Sequence, residues 1–249
     1  MNVTLTTAQL LLVAAATAIA PAALAAPLVV DDFESYTAGD LDVVATPAWT
    51  AEYAGLSQIA SAAGNQYIVN AGDSDWSHSY RSLGASVTQQ AVLSFDIYVE
   101  DDVEIDHAFG LTDSSEAVDW YGDYGPYVRV TPDGPGAAGI AGLDVRDGGG
   151  FVDDIAQITT GVWHNVKLAV DTAGGGSFDV YLNDAPVYSG AGFRRGYGAP
   201  LENFLLMAGQ NTSPLVRVDN VTIDVIPEPA SLMIGFVGLA AIAAGRRRD

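Results

Sequence analysis

Strict two-residue alternation, with almost no helical period anywhere, is what most limits the folds open to this chain. Ala91–Val99 reads AVLSFDIYV, with Leu93, Phe95, Ile97 and Val99 on one side and Ser94, Asp96 and Tyr98 on the other. Successive side chains of an extended strand point to opposite faces, so this segment has one buried and one wet face. Val162–Ser189 repeats the pattern. Val166, Leu168 and Val170 form one apolar face, Thr172–Gly176 is a glycine-rich turn, and Phe178, Val180 and Leu182 form the next face. Asn183-Asp184 then makes a tight turn and Pro186–Ser189 returns. Shorter strands are expected at Leu28–Val30, Gln66–Val69, Ala108–Leu111, Tyr127–Thr131, Leu205–Ala208 and Val216–Val225. Leu143–Arg146 and Phe151–Ile158 read as a hairpin around Gly148-Gly149-Gly150. The expected architecture is all-β, a sandwich of roughly ten to thirteen strands.

Both ends of the chain carry addresses. Leu10–Ala20 is an apolar run and Ala23-Leu24-Ala25 is a small-x-small cleavage box. Residues 1–25 therefore read as a secretory signal peptide, although Met1–Gln9 has no Lys or Arg. At the other end, residues 226–249 begin with Pro227, Glu228 and Pro229, continue with an uncharged stretch at 231–245, and end on Arg246, Arg247, Arg248 and Asp249. A helix over that stretch would be about 22 Å long, short for a hydrocarbon core of about 30 Å. It makes a transmembrane helix only with bilayer thinning and snorkelling arginines. The arginines are expected to stay cytoplasmic, and the two prolines hold the preceding peptide extended and accessible.

Triplet, short span and arginine cluster, in that order, resemble a PEP-CTERM sorting signal. The resemblance implies an exosortase substrate, processed at the inner membrane of a Gram-negative bacterium that makes extracellular polysaccharide. Pro227, Glu228, Pro229 and Arg246–Arg248 would be the recognition elements. The expected destination is the cell surface or extracellular matrix of a biofilm.

Residues 26–225 are left as one β-sandwich domain, long enough for a substantial core. The whole chain carries 31 acidic and 10 basic residues, a formal charge of −21. Subtracting Glu228, Asp249 and the three terminal arginines leaves 29 and 7, or −22. Such a surface repels phosphate backbones, so nucleic acid is excluded as a partner. The absence of cysteine excludes disulfides and thiolate metal sites.

Val162–Tyr188, reading VWHNVKLAVDTAGGGSFDVYLNDAPVY, resembles the laminin-G and concanavalin A-like jelly rolls. The opening DDFESY and the closing VRVDNVTI fit the first and last strands of such modules. The resemblance implies a two-sheet antiparallel sandwich that often holds Ca²⁺ and often binds glycans or proteins. Pairing of its first and last strands would bring Asp31, Asp32 and Glu34 near Asp219. Clustered carboxylates of this kind suit a hard cation; the same residues read equally as separate solvated acids.

Two further groups of residues stand out. Glu100, Asp102 and Glu104 match the E-x-D-x-E spacing of one family of jelly-roll β-glucanases, whose two carboxylates share a strand face. Here they follow a strand, where a solvated turn is expected. Trp120, Tyr121 and Tyr124, with Trp76, form the densest aromatic patches and are candidate sugar-stacking surfaces, or else packing. Trp163 is expected in the core. A lyase would require tyrosine, histidine and arginine together, for which Tyr121, His107 and Arg129 are candidates. The expected function is non-enzymatic glycan or matrix binding by an exported sandwich, with a polysaccharide hydrolase or lyase on the same fold as the alternative.

Overall fold

The computed structural model describes residues 27–45, 48–74, 76–101, 104–113, 124–132, 138–194 and 200–226. The expected signal peptide, residues 227–249 of the expected sorting tail, Asp102, Trp120 and Tyr121 lie outside the described residues. In chain order the elements are β1 (Val29–Asp31), β2 (Gly39–Asp40), the short helix α1 (Leu41–Val44), β3 (Trp49–Ala51), β4 (Ser57–Ala62) and β5 (Asn65–Asn70). Then come β6 (Ser77–Val87), β7 (Gln90–Val99), β8 (His107–Thr112), β9 (Tyr124–Pro132), β10 (Ile140–Asp147) and β11 (Gly150–Thr159). The last are β12 (Trp163–Asp171), β13 (Ser177–Leu182), β14 (Ala185–Gly192), β15 (Leu201–Ala208) and β16 (Val216–Ile226).

Two antiparallel sheets stack as a concanavalin A-like jelly-roll sandwich. One has the order β14-β13-β12-β7-β16-β5-β4-β2, with β1 also paired to β16. The other has the order β11-β10-β9-β8-β15-β6-β3. The first and last strands pair as expected, Val29 opposite Ile223 and Asp31 opposite Val221. The central strand β7 sits between β12 and β16 and buries Leu93, Phe95, Ile97 and Val99 completely, as its alternation requires. Asn183 and Asp184 both have positive φ, 51° and 65°, in the two-residue turn joining β13 to β14.

The core between the sheets is apolar but has a polar clamp at one end. Asp31 Oδ2 accepts hydrogen bonds from Trp49 Nε1 (2.8 Å), Tyr36 Oη (3.0 Å) and Arg81 Nη1 (2.5 Å), while Oδ1 accepts from Phe33 N (3.1 Å). Trp49 packs between Phe33 and Phe204 at 5.7 and 6.0 Å. Trp163 corrects the expectation of a core tryptophan. It is 40% exposed, on the outer side of the nine-stranded sheet, against Tyr98 and Tyr67 at 5.5 and 6.2 Å. It opens β12 at a position whose alternate neighbours, not itself, point inward.

Candidate functional site

The inner side chains of the seven-stranded sheet fill the core, so its outer face is built from the alternate positions. Register aligns them into rows across the strands. One row runs from His78 on β6 through Met207 on β15 and Ala108 on β8 to Arg129 on β9 and Asp144 on β10. The next runs Thr50, Tyr80, Leu205, Gly110 and Tyr127. A third runs Ser82, Asn203, Thr112 and Tyr124. Ala108 and Gly110 keep the middle of the face low. A Cβ on Gly110 would stand 2.2 Å from the Pro126 carbonyl and 2.5 Å from Tyr127 Cβ, so only glycine admits β9 at that point.

Trp76, Asp106, Ala108, Tyr127, Arg129, Phe151 and Met207 line a cavity of about 370 Å³ on this face. A second cavity, of about 500 Å³, opens nearer β3 and is lined by Thr50, Tyr80, Ser82, Glu202 and Asn203 among others. In the first, Tyr127 stacks on Tyr124 at 4.5 Å and meets Phe151 edge-on at 5.8 Å. The guanidinium carbons of Arg129 and Arg146 lie 3.9 and 4.9 Å from the Phe151 ring centroid. Arg129 is held from the side by Asp144. Nε and Nη2 donate to Asp144 Oδ2 at 3.1 and 2.9 Å, and Thr131 Oγ1 donates to the same oxygen at 3.1 Å. Asp144 Oδ1 accepts from Asp154 N at 2.9 Å, fixing the β11 bulge where Asp154 has φ 53°.

Among the described residues, buried polar atoms on this face without a hydrogen-bond partner include Asp106 Oδ1, His78 Nε2 and Asn203 Nδ2. Asp106 Oδ1 is 3.9 Å from Arg129 Nε, too far for a hydrogen bond. Burial raises the Asp106 carboxyl pKa; Arg129 works against that and Asp144 with it. His78 is almost fully buried, and its Nδ1 pairs with Glu52. Buried polar atoms are rarely left without partners, so such a concentration on one face suits a polar ligand.

The expected site residues divide sharply. Trp76 lines the cavity. Tyr124 is no exposed stacking surface: it is wholly buried, and its hydroxyl donates to the carbonyls of Ala108 (2.9 Å) and Leu205 (3.3 Å). It backs Tyr127 instead. Glu100 and Glu104 do not sit on a shared strand face. They follow β7, where Glu100 accepts from Arg217 Nη2 at 2.7 Å and Glu104 from Ser213 Oγ at 3.0 Å. Nor do Asp31, Asp32, Glu34 and Asp219 converge as a cation cage, and among the described residues no group of three or more His, Asp or Glu could hold a metal ion. Asp31 is engaged by the clamp, Asp32 bonds Glu34 N, Glu34 bonds Gln66 N, and Asp219 bonds Asn65 and Asn220.

His107 and Arg129 leave the sheet on opposite sides. His107 is buried and its Nε2 donates to the Asn70 carbonyl at 2.8 Å. The histidine that shares the outer face with Arg129 is His78. Sequence reasoning missed His78, Asp106, Asp144 and Phe151. The available signal was the polar alternation Tyr127-x-Arg129-x-Thr131 beside Asp144-x-Arg146, a sheet face too polar for packing alone.

No protein-family model matches the chain, and no curated protein is similar to it in sequence. Solved structures are similar in fold. A double mutant of the alginate lyase Aly36B in complex with alginate trisaccharide has a TM-score of 0.55 at 14% identity, covering 80% of this chain and 98% of that one. A mutant of the Emp46p carbohydrate recognition domain has a TM-score of 0.52 at 10% identity, covering 81% and 99%. A sialidase has a TM-score of 0.51 at 14% identity; the match takes in 77% of this chain but only 18% of the sialidase. The fold is thus one used by lectin domains and by polysaccharide lyases.

Proposed function

We propose that this chain is an exported surface or matrix protein whose sandwich binds glycan on the outer face of the seven-stranded sheet without cleaving it. The observation that carries the reading is the cavity where the half-buried rings of Trp76 and Phe151, backed by the buried Tyr127, stand beside Asp106 and Arg129. Sugar rings present apolar C–H faces to aromatic rings and hydroxyls to charged groups, and this mixture provides for both. Structural neighbours that are themselves a carbohydrate recognition domain and an alginate lyase support it. The PEP-CTERM-like tail supports export, with an exosortase as processing partner, membrane contact before processing, and surface or matrix polysaccharide as ligand. A glycan array probed with the full-length chain, followed by analysis of the bound glycans, tests the binding. Retention without chain shortening is expected; no retention of any glycan refutes it. Substituting Pro227, Glu228 and Pro229 by alanine in an exosortase-bearing host should leave the protein unprocessed in the membrane fraction.

A hydrolase or lyase is the second reading, and one observation favours it. His78, held at Nδ1 by Glu52, keeps a partnerless Nε2 on the face that carries Tyr80, Tyr127 and Arg129. A carboxylate-oriented imidazole is a ready proton acceptor. Release of shortened products, lost in His78→Gln, would establish it.

A further inference from the structure

We infer that this groove takes a neutral, hydroxyl-rich glycan and rejects uronates. The inference rests on the glycan-binding reading above and adds the ligand class.

A uronate needs a free cationic fork for its carboxylate. Arg129 in the cavity and Arg146 beside it over Phe151 both have the Nε–Nη2 edge engaged. Arg129 spends Nε and Nη2 on Asp144 and has Asp153 Oδ1 3.8 Å from Nη2. Arg146 donates from Nε to the Gly148 carbonyl at 3.2 Å and from Nη2 to the Gly149 carbonyl at 2.5 Å. Both guanidinium groups lie over Phe151, which occupies part of their planar faces. Against these two cations stand Asp106, Asp144, Asp153 and Glu52, so the local charge is negative on a chain already at −21.

The partnerless atoms point the same way. Asp106, which lines the first cavity, has Oδ1 lone pairs without a partner, and Asn203, which lines the second, has Nδ2 protons without one. A sugar hydroxyl donates and accepts, so a run of hydroxyls can satisfy both. A carboxylate only accepts; it would oppose Asp106 lone pair to lone pair. The two cavities lie on one sheet face, with β9 and β6 three strand spacings apart, about 14 Å. That spacing suits an oligosaccharide rather than one sugar.

The test is retention of the full-length chain, in detergent with EDTA, on a neutral β-glucan and on alginate and polygalacturonate. EDTA removes divalent cations that would bridge carboxylates. The neutral glucan should be retained equally at low and high salt. Uronate polymers should be retained about tenfold less or lower at 0.15 M salt, and any residual binding should rise with salt as repulsion is screened. Phe151→Ala should lower glucan retention about tenfold or more, on the scale of an aromatic hot spot. Should that variant fold poorly by circular dichroism, Asp153→Asn, changed at an exposed position, should raise uronate retention several-fold. Preference for uronates, falling with salt, would overturn the inference and leave glycan binding intact. Retention of no polysaccharide by folded protein would overturn both. Glucan binding unaffected by Phe151→Ala would move the ligand off this groove.

Discussion

Asp144 tests the site and the fold together. It is 1% exposed and accepts from Arg129 twice, from Thr131 Oγ1 and from Asp154 N. Asp144→Ala removes one partner of a buried ion pair, which typically costs about 3–5 kcal/mol. Arg129 keeps 24% of its side chain exposed, so water recovers part of its solvation and the ion-pair loss falls to about 2 kcal/mol. The Thr131 hydroxyl and Asp154 amide each lose an acceptor, adding about 1 kcal/mol apiece. The expected destabilisation is therefore about 4 kcal/mol. At about 2–4 °C per kcal/mol for a domain near 200 residues, the melting temperature should fall by about 8–16 °C.

Urea unfolding followed by tryptophan fluorescence measures the loss directly. A double-mutant cycle with Arg129→Met isolates its source. If the cost comes from a stranded guanidinium, the double variant should be about 1–2 kcal/mol more stable than the sum of the single changes requires. The same Asp144→Ala variant leaves Arg129 Nε and Nη2 without their acceptor, so uronate retention should increase. A loss under about 0.5 kcal/mol, or strictly additive single changes, would refute the claim that Asp144 supports this face.

Three other outcomes are expected. Burial lowers the His107 pKa to about 4 from the ordinary 6.5, so the unfolded chain binds the extra proton between those values; stability is complete above pH 6.5 and falls towards pH 4, by about 3 kcal/mol at most. Asp106 and Asp219, raised chiefly by burial, oppose this at the acid end, so comparison with His107→Asn by urea titration isolates the imidazole; an unchanged pH slope would refute it. Gly110→Ala should cost about 1–3 kcal/mol and weaken glycan retention, because its Cβ displaces Tyr127; wild-type stability would show that β9 yields freely. Trp49→Ala should cost about 3–5 kcal/mol, since its ring is 1% exposed and its N–H bonds Asp31, whereas Trp163→Ala should cost about 1 kcal/mol; equal losses in thermal melts would contradict the burial assignment.

The fold was legible wherever a strand has one dry face and one wet face. Leu93, Phe95, Ile97 and Val99, and Val166, Leu168 and Val170, announce their strands because burial alternates with the pleat. β6 was not legible. Ser77, His78 and Ser79 are all buried in succession, with the Ser77 and Ser57 hydroxyls donating to Asn70 Oδ1 at 2.8 Å each. At that end of the strand both faces are covered and the serine hydroxyls find partners on other strands, so no period appears. Trp163 misled for the converse reason: an aromatic residue opening an apolar strand stays on the wet face when register puts it there.

Sequence alone determined the class of fold and the acidic net charge, and it raised the expectations of nucleic-acid exclusion and of an address at each end, because period, charge and local motifs are properties of neighbouring residues. It also offered Trp76 and Arg129 as candidates, without saying which others join them. Tertiary structure decided the site. His78, Met207, Ala108, Arg129 and Asp144 come from five strands and form one row only through register. A slip of one residue in any strand would turn its member into the core. The same register buries Tyr124 beneath the face and sends His107 inward. No spacing along the chain encodes those choices, since they depend on which strands lie side by side.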